Sequence, residues 1–353
     1  MADRTELPGL TPLRGIAALA VVFFHVDNLA AHWAGGSMGI WTRGYLAVDL
    51  FFMLSGFVLS HVYGERLRKR NWRELRQFFW ARACRLYPAS VFTTTILLLV
   101  YAQAQLNART KTELIADFFQ VQIPWFSELH INPPSWSVSA EVYAYLLFPF
   151  ILWFMPRLRR SGMVVLVLML LAEIAFTAAD RRTGWEGGWR ALARALPEFV
   201  VGIFAYRAYT NATFERFWRH DIMLISTLGA IILALMIGLP DGPIVILLLA
   251  LLLSTVSNSG ILAAPINARP LRWMGDISYS VYIFQIVPEV LAVRVSGVFV
   301  RHGLGGMWFE SFAILLVLAS GILVHRCVDV PIRHILRAIP GMIATKKAAT
   351  SAP

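Results

Sequence analysis

The chain has 353 residues, 58% hydrophobic and 15% charged, with a mean hydropathy of +0.61 and a net charge of +11. Soluble domains carry nearer a quarter charged residues, so this composition excludes an ordinary soluble globular protein. The basic excess is scattered between apolar segments rather than gathered in one patch, which argues against nucleic acid as a partner and reads as a topology signal.

Taken in chain order, apolar windows of membrane-spanning length fall near 10–31, 44–63, 86–105, 137–155, 163–179, 191–208, 221–239, 243–258, 273–293 and 309–330. The expected fold class is therefore an all-α integral membrane protein, a bundle of about ten transmembrane helices. It would occupy residues 1–335, with a short polar cytoplasmic tail at 336–353. Asp3 and Glu6 spoil the basic start of a signal peptide and the first apolar run is long, so it reads as a retained span. Pro156 with Arg157, Arg159 and Arg160 closes the fourth span, and Leu239-Pro240-Asp241-Gly242-Pro243 makes a tight turn between the seventh and eighth. The segment 106–135, with Trp125, Phe126, Pro133 and Pro134, reads as a lid, a re-entrant loop or a plain surface loop. Cys84 and Cys327 lack metal-ligand spacing and read as structural thiols, and no metal is expected.

One set of loops and tails holds 22 Arg and Lys residues and the other nine, Arg14 inside the first span completing the 32. The positive-inside rule then places both termini in the cytoplasm, as an even number of spans also requires.

Several ionisable groups lie in or at the edges of these windows: Arg14, His25, Asp49, Glu141, Glu173, Glu198 and Asp329. Singly, each could be a pair that docks two helices; together they point to a site or a pathway. Arg14 and His25 are eleven residues apart, on one helical face and about 16 Å apart along the axis. Glu141 sits at the level of His25 and is expected to orient it, fixing the tautomer and raising the basicity of the other ring nitrogen. Arg82 and Arg85 form an Arg-x-x-Arg pair whose guanidiniums suit phosphate oxygens, although topology and anionic lipid would select the same residues. The serines of Trp136-Ser137-Val138-Ser139-Ala140-Glu141 lack a nucleophile-elbow context, which disfavours a serine hydrolase. On these grounds an enzyme and a transporter remain equally open, and a non-catalytic scaffold is disfavoured by the intramembrane charge.

Five stretches carry a resemblance: LPGLTPLRGIAALAVVFFHV at 7–26, GYLAVDLFFMLSGFVLS at 44–60, FFWARACRLYPAS at 78–90, PSWSVSAEVYAYLLFP at 134–149 and LRWMGDISYSVYIFQIVP at 271–288. In order and spacing the chain resembles acyltransferase family 3, the membrane O-acyltransferases of the O-antigen and exopolysaccharide acetylase type. The family's Arg-x10-His motif falls on Arg14 and His25, and its Arg-x-x-Arg motif on Arg82 and Arg85. The resemblance implies a multi-pass enzyme of the bacterial inner membrane, with no tightly bound cofactor. It would move an acyl group, usually acetyl, from cytoplasmic acyl-CoA as co-substrate to a hydroxyl of a cell-envelope glycan or lipid-linked saccharide, in contact with membrane lipid. It further implies His25 as general base, Asp49 and Glu141 as site carboxylates, and Arg14, Arg82 and Arg85 as partners of the CoA phosphates. Two departures are visible: Gln285 stands where many relatives have histidine, and the hydrolase-like domain appended in some members is missing from these residues.

Overall fold

The computed structural model describes residues 7, 9–34, 39, 41–100, 109–126, 131–154, 164, 168, 187–304 and 306–339. The expected span at 163–179 with Glu173, the basic residues Arg157, Arg159, Arg160, Arg181 and Arg182, parts of the 106–135 segment and the tail beyond Ile339 lie outside the described residues. Among the described residues there are helices and no strands.

Helix α1 (Leu10–Trp33) leads through a short 3-10 turn to α2 (Ala47–Arg68), followed by α3 (Trp72–Val100), the short α4 (Lys111–Phe118) and α5 (Ser135–Phe154). Then come α6 (Gly188–Tyr209), α7 (Ala212–Trp218), α8 (Asp221–Met236), α9 (Asp241–Ser257), α10 (Arg269–Phe284), α11 (Ile286–Arg301) and α12 (Gly306–Ile339), the last with a π turn at His325–Asp329. Local chemistry sets several of these ends. Thr110 and Glu113 form a capping box that starts α4. Gly238, at φ 70°, ends α8 in the left-handed region that favours glycine, and α9 starts three residues later at the expected turn.

Five helices are long and apolar enough to cross a membrane, and two bent pairs raise the number to seven. The expected ten is thus matched by five to seven among the described residues; α9 is apolar but shorter. The distribution of side chains is that of a membrane bundle: Asp49, Ser139, Glu198 and Asp329 are buried, whereas Leu146, Phe150, Ile225, Ile232 and Met236 face outward.

Two boundaries differ from expectation. The third helix begins at Trp72 rather than near 86, so Arg76, Arg82 and Arg85 lie on the helix and not in a loop. The expected continuous span 273–293 is two helices, α10 and α11, bent by 62°. Pro288 explains the break: it has no N–H for the Phe284 carbonyl, and its ring crowds the preceding turn. Next to it, in the last turn of α10, the Ile283 carbonyl accepts a hydrogen bond from Asn132 Nδ2 at 2.9 Å, in keeping with the need to pair backbone groups inside a bilayer.

Two glycine crossings hold the bundle at close backbone distance. A Cβ on Gly56 (α2) would stand 2.0 Å from the Phe199 carbonyl of α6, and one on Gly202 (α6) 2.0 Å from the Met53 carbonyl of α2. A Cβ on Gly275 (α10) would stand 1.9 Å from the Thr11 carbonyl of α1, with Gly15 meeting α10 reciprocally. Small residues at both sides of a crossing let helices pack by direct van der Waals contact where apolar lipid offers no hydrophobic drive.

Candidate active site

Between α1, α2, α3, α5 and α10 lies a cavity of about 120 Å³. Its walls bring together Arg14 from α1, Ser55 from α2, Arg82 and Arg85 from α3, Glu141 and Tyr145 from α5, and Tyr279 from α10. Three guanidiniums and one carboxylate thus converge inside an otherwise apolar bundle. That volume holds several waters or a short acyl group.

Tyrosines hold the arginines. The Arg82 guanidinium stacks 5.1 Å from the Tyr63 ring centroid and 5.9 Å from that of Tyr145, and it donates to the Tyr63 hydroxyl at 3.1 Å. Arg85 lies 5.1 Å over Tyr279. A stacked guanidinium is stabilised through its face and keeps its edge for an anion. Glu141 accepts hydrogen bonds from Ser55 Oγ at 2.8 Å and from the Tyr145 hydroxyl.

The structure separates the sequence-read candidates into three groups. Arg14, Arg82, Arg85 and Glu141 share the cavity. Asp49 does not line it: both carboxylate oxygens are bonded to Arg194 of α6, at 2.6 Å to Nε and 2.8 Å to Nη2. The Arg194 guanidinium in turn lies over Trp136 at 5.6 Å and Tyr45 at 5.9 Å. Asp49 was expected among the reacting groups; its geometry is instead that of a buried pair tying α2 to α6. His25 lies outside the cavity lining, and its recorded carboxylate neighbour is Glu289 of α11, with Nδ1 to Oε2 at 4.0 Å. Glu141 was expected to orient His25; it faces Ser55 and Tyr145 because α5 presents it to α2 and α3.

Other polar residues of the motifs hold the fold, although both amide atoms of buried Gln285 lack a hydrogen-bond partner among the described residues. Ser137 Oγ shares a 2.7 Å hydrogen bond with the Tyr282 hydroxyl, and Ser139 Oγ accepts the Ile123 N–H at 3.3 Å. Asp329, in the π turn of α12, accepts from Ser280 Oγ at 3.2 Å and pairs with Arg333. Sequence reasoning missed Tyr63, Tyr145 and Tyr279, which carry no charge to flag them. It also missed Arg194, counted as a loop cation, and Glu289, hidden in a span read as continuous.

The described geometry can be set beside known proteins. The model of the family described as acyltransferase domain matches residues 7–326. Among curated relatives, the peptidoglycan O-acetyltransferase OatA of Listeria monocytogenes is 25% identical over 338 residues, covering 80% of this chain and 49% of its own length. The O-acetyltransferase OatA of Staphylococcus aureus is 24% identical over 359 residues, covering 93% of this chain and 57% of its own length. The chain therefore spans about half the length of the curated relatives it matches. No solved structure matches it.

Proposed function

The chain belongs to the acyltransferase domain family, and from that premise we propose that it is a multi-pass membrane O-acyltransferase. It takes acetyl from cytoplasmic acetyl-CoA and places it on a hydroxyl of a cell-envelope glycan, peptidoglycan by similarity to its relatives. The observation that carries this reading is the convergence of Arg14, Arg82 and Arg85 on one cavity inside an apolar bundle. Such a concentration of cations inside a bilayer calls for an anionic ligand.

The residues divide the work as follows. Acyl-CoA supplies an activated thioester and a set of phosphates. Arg82 and Arg85, fixed by their tyrosines, bind the phosphates through the free edges of the guanidiniums, with Arg14 adding charge on the α1 side. His25 is the general base. It takes the proton of the acceptor hydroxyl while that oxygen bonds the acyl carbon; the carbon–sulfur bond then breaks, and the imidazolium returns the proton to the departing sulfur. Products are the ester and the free thiol, and His25 ends as it began. With the basic rim taken as cytoplasmic, Arg14 lies toward the donor side and His25 toward the outer half of α1, about 16 Å further along.

The test is transfer of radiolabelled acetyl from acetyl-CoA to peptidoglycan fragments by the reconstituted full chain. Mass spectrometry of envelope glycans from cells with and without it runs alongside. Added acetyl mass that depends on the protein supports the reading, and on the same reasoning His25→Gln abolishes it. An acceptor that crosses the membrane unmodified identifies a transporter and overturns it.

A further inference from the structure

We propose that Glu289 is the positioning carboxylate of His25, holding the ring so that Nε2 meets the acceptor. This rests on the reading of His25 as the base. The first observation is direct: Glu289 Oε2 stands 4.0 Å from His25 Nδ1, across the α1–α11 contact. A partner at Nδ1 selects the tautomer with its proton there and leaves the Nε2 lone pair for the hydroxyl.

The second observation concerns what else Glu289 meets. Its side chain is only 7% exposed, and Oε1 is buried with no hydrogen-bond partner among the described residues. A carboxylate placed so deep without such a partner at Oε1 is a costly feature. The cost is offset when a cation appears beside it, and His25 becomes one each time it accepts a proton. The 4.0 Å separation is longer than a hydrogen bond, and catalytic contacts of this kind tighten when charge develops.

The third observation explains how the carboxylate gets there. Pro288, the residue before Glu289, leaves the Phe284 carbonyl without a donor; the helix breaks at Gln285 and α11 leaves α10 at 62°. Glu289 N–H then bonds the Gln285 carbonyl at 3.1 Å, so the first turn of α11 is formed against α1. A straight continuation of α10 would carry residue 289 along a different line. The two carboxylates that the sequence offered as partners of the site are held elsewhere, Glu141 by Ser55 and Tyr145 and Asp49 by Arg194.

The experiment compares wild type, Glu289→Gln, Glu289→Asp and His25→Gln in the acetyl-CoA assay, with folding checked by gel filtration in detergent. Glu289→Gln is expected to lower kcat roughly 10²–10⁴-fold, with KM for acetyl-CoA unchanged. Glu289→Asp recovers part of the loss. A merely structural role would instead reduce the yield of folded protein and leave the kcat of the remainder intact, overturning the proposal. A second measurement needs no variant that must fold: nitrogen NMR of labelled histidine in wild type, assigned by loss of the His25 signal in His25→Gln. A ring protonated at Nδ1 supports the proposal, and one protonated at Nε2 overturns it. If His25→Gln retains activity, the base reading fails and this proposal with it. If His25→Gln is inactive and Glu289→Gln active, only this proposal fails.

Discussion

The buried pair of Asp49 and Arg194 offers a sharp test of which carboxylates serve the fold. Both residues are buried, and two hydrogen bonds of 2.6 and 2.8 Å satisfy the carboxylate from one guanidinium. Removing Arg194 alone strands the Asp49 carboxylate, a loss of about 3–5 kcal/mol. At roughly 2–4 °C per kcal/mol for a chain of this order of size, Arg194→Met lowers the detergent melting temperature by roughly 6–20 °C. Removing both together leaves neither member of the pair facing an empty partner position, and replacing a buried pair by apolar residues of similar volume is often neutral. The double variant Asp49→Leu/Arg194→Met is therefore expected to melt within a few degrees of wild type and to retain acyl transfer. Thermal melting and the transfer assay on the same preparations decide the matter. An Arg194→Met variant as stable as the parent refutes the electrostatic argument. A double variant that is stable but inactive refutes the assignment of Asp49 to the fold and returns it to the chemistry.

The glycine crossings predict a contrast: Gly275→Ala and Gly202→Ala, whose new Cβ atoms would meet backbone carbonyls at 1.9 and 2.0 Å, destabilise by at least about 1–3 kcal/mol. Gly64→Ala, with open space around its Cβ, is neutral or slightly stabilising by the same melt. At Arg82, replacement by lysine keeps the charge but loses the stacking on Tyr63 and Tyr145, so KM for acetyl-CoA rises about tenfold, equivalent to roughly 1.4 kcal/mol. An unchanged KM in Arg82→Lys would show that the fork does not meet the donor.

Much of the fold was legible because hydropathy and length act locally. The windows at 10–31, 44–63, 137–155 and 309–330 all correspond to helices that pass the membrane-span criterion. The start of α3 was missed because its first turns carry Arg73, Arg76 and Arg82, and charge was read as loop. Pro288 was visible in the sequence, yet a proline in a membrane helix need not break it, and only the 62° bend between α10 and α11 shows that this one does. Partner choice was the least legible feature. Asp49 and Arg194 are 145 residues apart, and His25 and Glu289 still further, so which carboxylate meets which cation depends on helix rotation. The motifs named the arginines of the cavity; the tyrosines that seat them emerge only from packing.

The glycine crossings carry a mechanical consequence. One locks α1 to α10 and the other α2 to α6, and the cavity is lined from both pairs. Backbones in direct contact resist sliding, so each pair is a stiff beam, and the compliant seam of the protein runs between the beams. Across that seam side-chain contacts such as Phe51 against Tyr282 accompany one close approach, where a Cβ on Gly44, just before α2, would stand 2.2 Å from the Ala20 carbonyl of α1. Any change in the width of the chamber then falls on the seam rather than on the pairs, and leaves the register of each crossing as it is.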